Sequence, residues 1–170
     1  MKVLVTYHSD TGNTEKVARA IYEAIEHAEK EIFPLKEVGQ KDISAYDLIF
    51  CGFPVQASCV PDKVHPFLKG LPKGSLLALF STHGSLRGGP LTIEAMHEAL
   101  GLAKQAVILG TFCCRGKVKH SLLEALEKRP QHKKWIEEAQ SAAGHPDEHD
   151  LEDAKEFARW MITRARSYLS

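Results

Sequence analysis

The chain has 170 residues, and its 22 Lys+Arg are balanced by 22 Asp+Glu, so its formal net charge is zero. Apolar residues make up 44% and charged residues 26%, the composition of a soluble globular protein long enough to bury a core. The missing basic excess excludes a general nucleic-acid or membrane-surface binder, and no apolar run reaches the length of a membrane span.

Strand and helix patterns alternate, which predicts a parallel sheet covered by helices on both faces, in a single domain over residues 1–170. Lys2–Tyr7 reads as a first strand rather than an export signal, its apolar stretch being too short, and a cytoplasmic protein is expected. A helix follows from about Asn13 to Glu29, with Val17, Ile21, Ala24, Ile25 and Ala28 on one stripe. Ile32–Val38 is a weak second strand. Asp47–Gly52 is a third, whose nearly continuous apolar run suits burial on both faces. Pro61–Leu68 reads as a short helix, Ser75–Ser81 as the fourth strand, Pro90–Leu100 as a helix and Gln105–Phe112 as the fifth strand. The basic, Pro-broken stretch from Lys117 to Ala143 holds two short helices. Asp150 then caps a final helix with an apolar face from Leu151 to Leu169. Five strands with right-handed helical crossovers fit most simply the order 2-1-3-4-5, with the ligand site at the carboxyl ends of the strands.

The most specific motif is Ser9-Asp10-Thr11-Gly12-Asn13-Thr14, between the first strand and the first helix. A phosphate there meets the positive end of the helix dipole and unpaired backbone N–H groups. Ser9, Thr11 and Thr14 add hydroxyls, and Gly12 permits a tight turn. The loop is neither a Walker A nor a GxGxxG sequence. It resembles the phosphate loop of flavodoxins, Ser/Thr-x-Thr-Gly-x-Thr, completely and at the expected place.

That resemblance implies a flavodoxin-like three-layer α/β/α sandwich and an FMN cofactor whose phosphate the loop holds. It also implies that the loops after the third and fourth strands flank the flavin ring. Pro54, Val55, Gln56 and Ala57 are the candidates in the first, and Thr82, His83, Gly84, Ser85, Gly88 and Gly89 in the second. Cys113, after the fifth strand, lies on the same rim. Flavodoxins usually stack a Trp or Tyr on the ring, and neither ring loop carries one. Residues 54–58 also lack the Gly whose peptide hydrogen-bonds N5 of the reduced flavin in many members.

Flavodoxins are usually acidic, whereas Arg87, Arg115, Lys117 and Lys119 make this rim basic, with no Asp or Glu in the same loops. Such charge favours an anionic reduced flavin, a raised potential for the last one-electron step, and an acidic redox partner protein. His83 is placed to hydrogen-bond the flavin or to move a proton near neutral pH, or else is an ordinary loop histidine. Cys113 and Cys114 are either packing residues or a thiol pair made reactive by Arg115 and Lys117. His145 and His149, with Asp147 and Asp150 nearby, read as a surface turn rather than a metal site. A phospho-accepting receiver domain is excluded because the third strand ends Phe50-Cys51-Gly52 without an Asp. A small tyrosine phosphatase is excluded because no Cys is followed six residues on by Arg. The function expected is FMN-based electron transfer. Its alternatives are an FMN-dependent NAD(P)H or quinone reductase and a flavin-free binding module.

Overall fold

The structure, a computed structural model, describes residues 1–39 and 41–170. Five strands, β1 (Lys2–Tyr7), β2 (Glu29–Pro34), β3 (Leu48–Pro54), β4 (Leu76–His83) and β5 (Val107–Arg115), form one parallel sheet. Their order is β2-β1-β3-β4-β5, as the alternation of elements required.

Side-chain alternation along the central strands builds two cores. Val3, Val5, Phe50, Ala78 and Phe80 pack against Val17 and Ile21 of α1 (Asn13–Ala24) and Ala158 and Ile162 of α7 (Glu148–Leu169). On the other face, Leu4, Ile49, Cys51, Leu77 and Leu79 meet Leu68 of α3 (His65–Lys69) and Ala99 of α4 (Pro90–Leu102). Each fully buried Leu, Ile, Val or Phe contributes roughly 1.5–3 kcal/mol, so these two faces dominate the stability of the sandwich. Among the described residues, no helix is long and apolar enough to cross a membrane.

Several boundaries differ from expectation. α1 stops at Ala24, five residues early, because Ile25 turns extended and His27 takes φ 55°. The N–H of Glu29 then bonds the carbonyl of Met1, which starts β2 three residues early. β2 ends at Pro34, and the remaining residues form the short helix α2 (Leu35–Val38), which buries Val38. The helix expected at Pro61–Leu68 begins only at His65, after a turn closed by the Val64 N–H to the Pro61 carbonyl. The final helix is capped by Asp147, not Asp150. Asp150 is the reciprocal partner in a capping box, each carboxylate accepting from the other residue's backbone N–H at 3.0 Å.

β3, β4 and β5 each run past their expected ends, to Pro54, His83 and Arg115. Residues assigned to loops, Thr82 and His83 above all, are therefore held by the sheet. The stretch after β5 forms α5 (His120–Glu127) and α6 (Lys133–Gln140), the two short helices expected there. They lie over the carboxyl ends of the strands, where their residues close the cavities described next.

Candidate functional site

The phosphate-type loop folds around Gly12, which sits at φ 83°, a left-handed conformation that glycine adopts without steric cost. This turn starts α1, and the first intrahelical bond runs from the Lys16 N–H to the Gly12 carbonyl. The N–H groups of residues 13–15 have no helical partner by position and form a site for an anion.

Side chains lock this loop in place. The Ser9 hydroxyl accepts from the Gly12 N–H at 3.1 Å. The buried Thr14 and Thr82 hydroxyls share a hydrogen bond of 2.9 Å, tying α1 to β4. Asn13 Nδ2 donates to the Lys117 carbonyl at 2.9 Å, tying it to the chain after β5. Asp10 accepts from Gln56 Nε2 at 2.6 Å and lies 3.5 Å from the His8 ring.

From this loop a cavity of about 360 Å³ runs across the carboxyl ends of the central strands. Asp10, Thr11 and Asn13 line its α1 end; Pro54, Val55, Gln56 and Ala57 line one side; Thr82, His83 and Gly84 line the floor. The sequence candidates from three separate loops thus converge on one space.

The β3 side is strained. Gln56 and Cys59 exchange two backbone hydrogen bonds, of 3.1 and 2.9 Å, around Ala57 at φ 48° and Ser58 at φ 66°. Both central residues of this two-residue hairpin occupy the left-handed region, as a type I′ turn requires, although neither is the favoured Asn or Gly. A left-handed non-glycine residue costs roughly 1–2 kcal/mol, and the cavity wall is where that strain is stored.

His83 is 4% exposed. Its Nδ1 lies 3.1 Å from the Ser85 carbonyl, so Nδ1–H donates there and Nε2, which has no partner, is left as an acceptor. Burial lowers its pKa to about 4, against a smaller opposing effect of the Ser85 carbonyl, with Arg115 and Arg87 pressing in the same direction as burial. His83 is therefore neutral near pH 7, which corrects the expectation of a proton carrier in that range.

The far wall escaped sequence reasoning. Gly84 passes so close to Val118 that a Cβ on it would lie 2.2 Å from a Val118 methyl. The chain after β5 thus crosses directly over the end of β4. Gly116, Lys117, Val118 and Lys119 line the cavity from that crossing, with Leu122 of α5 and Trp135 of α6 beyond them. Trp135 places an aromatic side chain on this wall, where the ring loops have no Trp or Tyr. Two features point to it in retrospect: the apolar stripe Leu122, Leu123 and Leu126, and a stretch of helix that the sheet does not need for cover.

A second cavity, of about 620 Å³, adjoins the first and shares Val55, Ala57, His83, Gly84, Leu122 and Trp135 with it; Ser85 lines this one. Gly88, Gly89 and Cys113 line neither cavity. Gly88, at φ 74°, and Gly89 turn the chain into α4, and the Cys113 thiol meets the Gly88 backbone. Burial raises the Cys113 thiol pKa, and Cys114 is raised further within the α7-side core, so the basic neighbours activate neither. Both are free cysteines.

The basic rim is also redrawn. Arg87 pairs with Asp150 at 2.9 Å and Asp153 at 3.5 Å, acids brought from α7. Arg115 donates to the carbonyls of Ser85 at 3.1 Å and Glu138 at 2.6 Å, and to the Ser141 hydroxyl at 2.9 Å. It clamps β5, the loop after β4 and α6 together. Lys117 and Lys119 are the rim cations that line the cavity. The His145–Asp150 turn is at the surface at Glu148 and His149, which are exposed, but it carries one buried acid. Asp150 is buried and receives His145 Nδ1 at 2.5 Å, the Asp147 N–H and Arg87. The ligand atoms of His145, Asp147 and Asp150 lie within 4.8 Å of one another, already engaged in these contacts.

A family model described as the flavodoxin domain matches residues 4–159. The chain belongs to the flavodoxin family. It is 30% identical to the flavodoxin-like domain-containing protein BilS of Clostridioides difficile, over 97% of this chain and 98% of that one. Among solved structures, a flavodoxin from the domain Archaea superposes with a TM-score of 0.65 at 16% identity, covering 98% of this chain and 99% of that one. A flavoprotein of Lactobacillus acidophilus in complex with FMN superposes with a TM-score of 0.50 at 22% identity, over 66% and 92% of the two chains. At these identities the structural likenesses establish the fold.

Proposed function

We propose that this flavodoxin-family chain binds one FMN and transfers electrons through it. The observation that carries the proposal is the anion site at α1, with Gly12 in the left-handed turn and free N–H groups at residues 13–15, opening into a cavity lined by both ring loops. The residues fit the group. A phosphate dianion is matched by the helix N-terminus. The ring end offers apolar walls from Val55, Leu122 and Trp135, and an unpartnered acceptor in His83 Nε2.

When bound, FMN supplies one- and two-electron redox chemistry, and the protein binds, orients and tunes it. Ser9, Thr14 and Asn13 keep the loop rigid. Neutral His83 lines the ring end without adding charge. α5 and α6 shield the ring end from water. A second reading, an FMN-dependent reductase of a small acceptor, is favoured by the apolar cavity that continues from the ring end.

The test is titration of flavin-free protein with FMN and with riboflavin, followed by flavin fluorescence. Stoichiometric uptake of FMN, with riboflavin bound at least about a hundredfold more weakly, is expected from a site that recognises phosphate. A protein that takes up neither flavin overturns the proposal.

A further inference from the structure

The two edges of the sheet are guarded differently. β2 opens with Glu29, Lys30 and Glu31 and ends at Pro34, charges and a proline that discourage a further strand from pairing. β5, the opposite edge, carries no charged residue and no proline from Val107 to Cys114. Its one irregularity is a bulge where Leu77 and Ala78 of β4 meet Ile108 and Gly110, beyond which six pairs run in regular register to Arg115. Thr111, in this regular stretch, is exposed. A long apolar edge with unpaired backbone groups is a template for another strand.

α7 covers one face of β5 and presents a second unpartnered surface beside it. Phe157 stacks on Phe112 with ring centroids 5.5 Å apart, and Gly110 admits Met161, whose sulfur would lie 2.7 Å from a Cβ placed there. Trp160 falls between these two contacts in sequence, so it stands close to the level of Thr111. It points away from the core and is 61% exposed. About one turn to either side stand Glu156 and Arg164, both exposed. Glu152 is engaged within the chain by Lys155 and Arg159, but Glu156 and Arg164 make no ion pair among the described residues.

We propose that the β5 edge and the Trp160 side of α7 form a homodimer interface, pairing with the same face of a second copy about a two-fold axis at the level of Thr111 and Trp160. Three features select a second copy. Identical edges pair antiparallel about such an axis and join the two sheets into one. The same axis reverses α7 on the partner, so Glu156 of each copy faces Arg164 of the other. Trp160 meets its own counterpart near the centre, burying aromatic surface that a single copy leaves in water. Antiparallel pairing also points the carboxyl ends of the two β5 strands in opposite directions. The two ligand cavities then open at opposite ends of the joined sheet, and neither is blocked.

Sedimentation velocity of the FMN-loaded chain over a range of concentrations measures the monomer–dimer equilibrium. A reversible dimer and nothing larger is expected, since a two-fold contact is closed. Trp160→Ala should weaken it at least about tenfold. Thr111→Lys sets two like charges opposite each other on the axis and should weaken it at least about threefold. Glu156→Arg and Arg164→Glu each oppose like charges and should weaken it at least about threefold. The double variant Glu156→Arg/Arg164→Glu should return to within about twofold of the native value. These two positions lie roughly 12 Å apart along one helix, so a recovery arises between copies rather than within one. Far-UV circular dichroism checks that each variant is folded, as substitutions of exposed side chains should leave it. The proposal is overturned if the chain stays monomeric at every concentration, if it grows beyond a dimer, if Trp160→Ala or Thr111→Lys leaves the equilibrium unchanged, or if the double charge reversal fails to recover what the single ones lose. Flavin content is fixed beforehand by absorbance, and a chain without FMN passes through the same series, so failure of the flavin reading leaves this test intact.

Discussion

At the α1 end of the site, the contacts that shape the loop join backbone groups, hydroxyls, two amides and the Asp10 carboxylate, and each has at least one partner in the six consecutive residues 9–14. At the cap end, the walls come from β3, β4, the crossing after β5, α5 and α6, segments separated by up to about eighty residues. The first region is polar and its motif is local in sequence, although its side chains also reach Gln56, Thr82 and Lys117. The second is apolar, carries left-handed non-glycine residues and a buried neutral histidine, and is pinned by Arg115. The same ligand site thus has one end specified by a motif and another specified by packing, and the two should respond differently to perturbation.

Acid should separate them most strongly. The folded pKa of His83 is about 4, against an ordinary value of 6.5, so between these values the unfolded chain binds a proton that the folded one refuses. The stabilisation is complete above pH 6.5 and is lost as pH falls toward 4. The loss is on the order of 3 kcal/mol, from 1.36 kcal/mol per pKa unit. Urea midpoints measured from pH 7 to 4 should fall in the native chain, and that fall should be much smaller in His83→Gln. Parallel pH profiles for the two proteins would show that His83 is not the group responsible, and would remove this distinction between the ends.

A substitution at Gly12 should damage the α1 end alone. Valine at φ 83° is strained by roughly 1–2 kcal/mol, and relaxing that strain moves the N–H groups that face an anion. FMN affinity of Gly12→Val is expected to drop on the order of tenfold, with riboflavin affinity changing less. Fluorescence titration with both flavins measures the ratio. An equal loss for both would mean that the loop shapes the ring end as well.

The same division explains what could be read from the residues alone. The phosphate-type loop was legible because its chemistry is contiguous: turn glycine, hydroxyls and helix start follow one another in Ser9–Thr14. The strand order was legible because Asp47–Gly52 and Ser75–Ser81 are apolar on both faces, which only central parallel strands require. Trp135 was harder to read as a wall of the site, since the signals for it, the Leu122, Leu123 and Leu126 stripe and a stretch of helix beyond what the sheet needs, lie outside its own neighbourhood in sequence. The pairing of Arg87 with Asp150 spans 63 residues, so a loop counted by its own charges looked basic when its partner was already assigned to α7. The β2 boundaries slipped because an edge strand bearing Glu29, Lys30 and Glu31 lacks the apolar run that marked the central ones.

The smallest expected effect lies in the hairpin at the cap end. Glycine is the residue favoured at the second centre of a type I′ turn, so Ser58→Gly should relieve strain in place. After the entropy that glycine adds to the unfolded chain, a net gain of about 0.5–1 kcal/mol is expected, a rise of roughly 1–4 °C in melting temperature. Thermal unfolding of the flavin-free protein measures it. If the melting temperature rises while flavin affinity falls, the strained conformation contributes to binding and the hairpin is held in tension by function. If both rise, the strain is an unused cost of the turn. A lower melting temperature would mean that the Ser58 side chain contributes more to the fold than its backbone conformation costs, and the contrast between a relaxed end and a strained end would not hold.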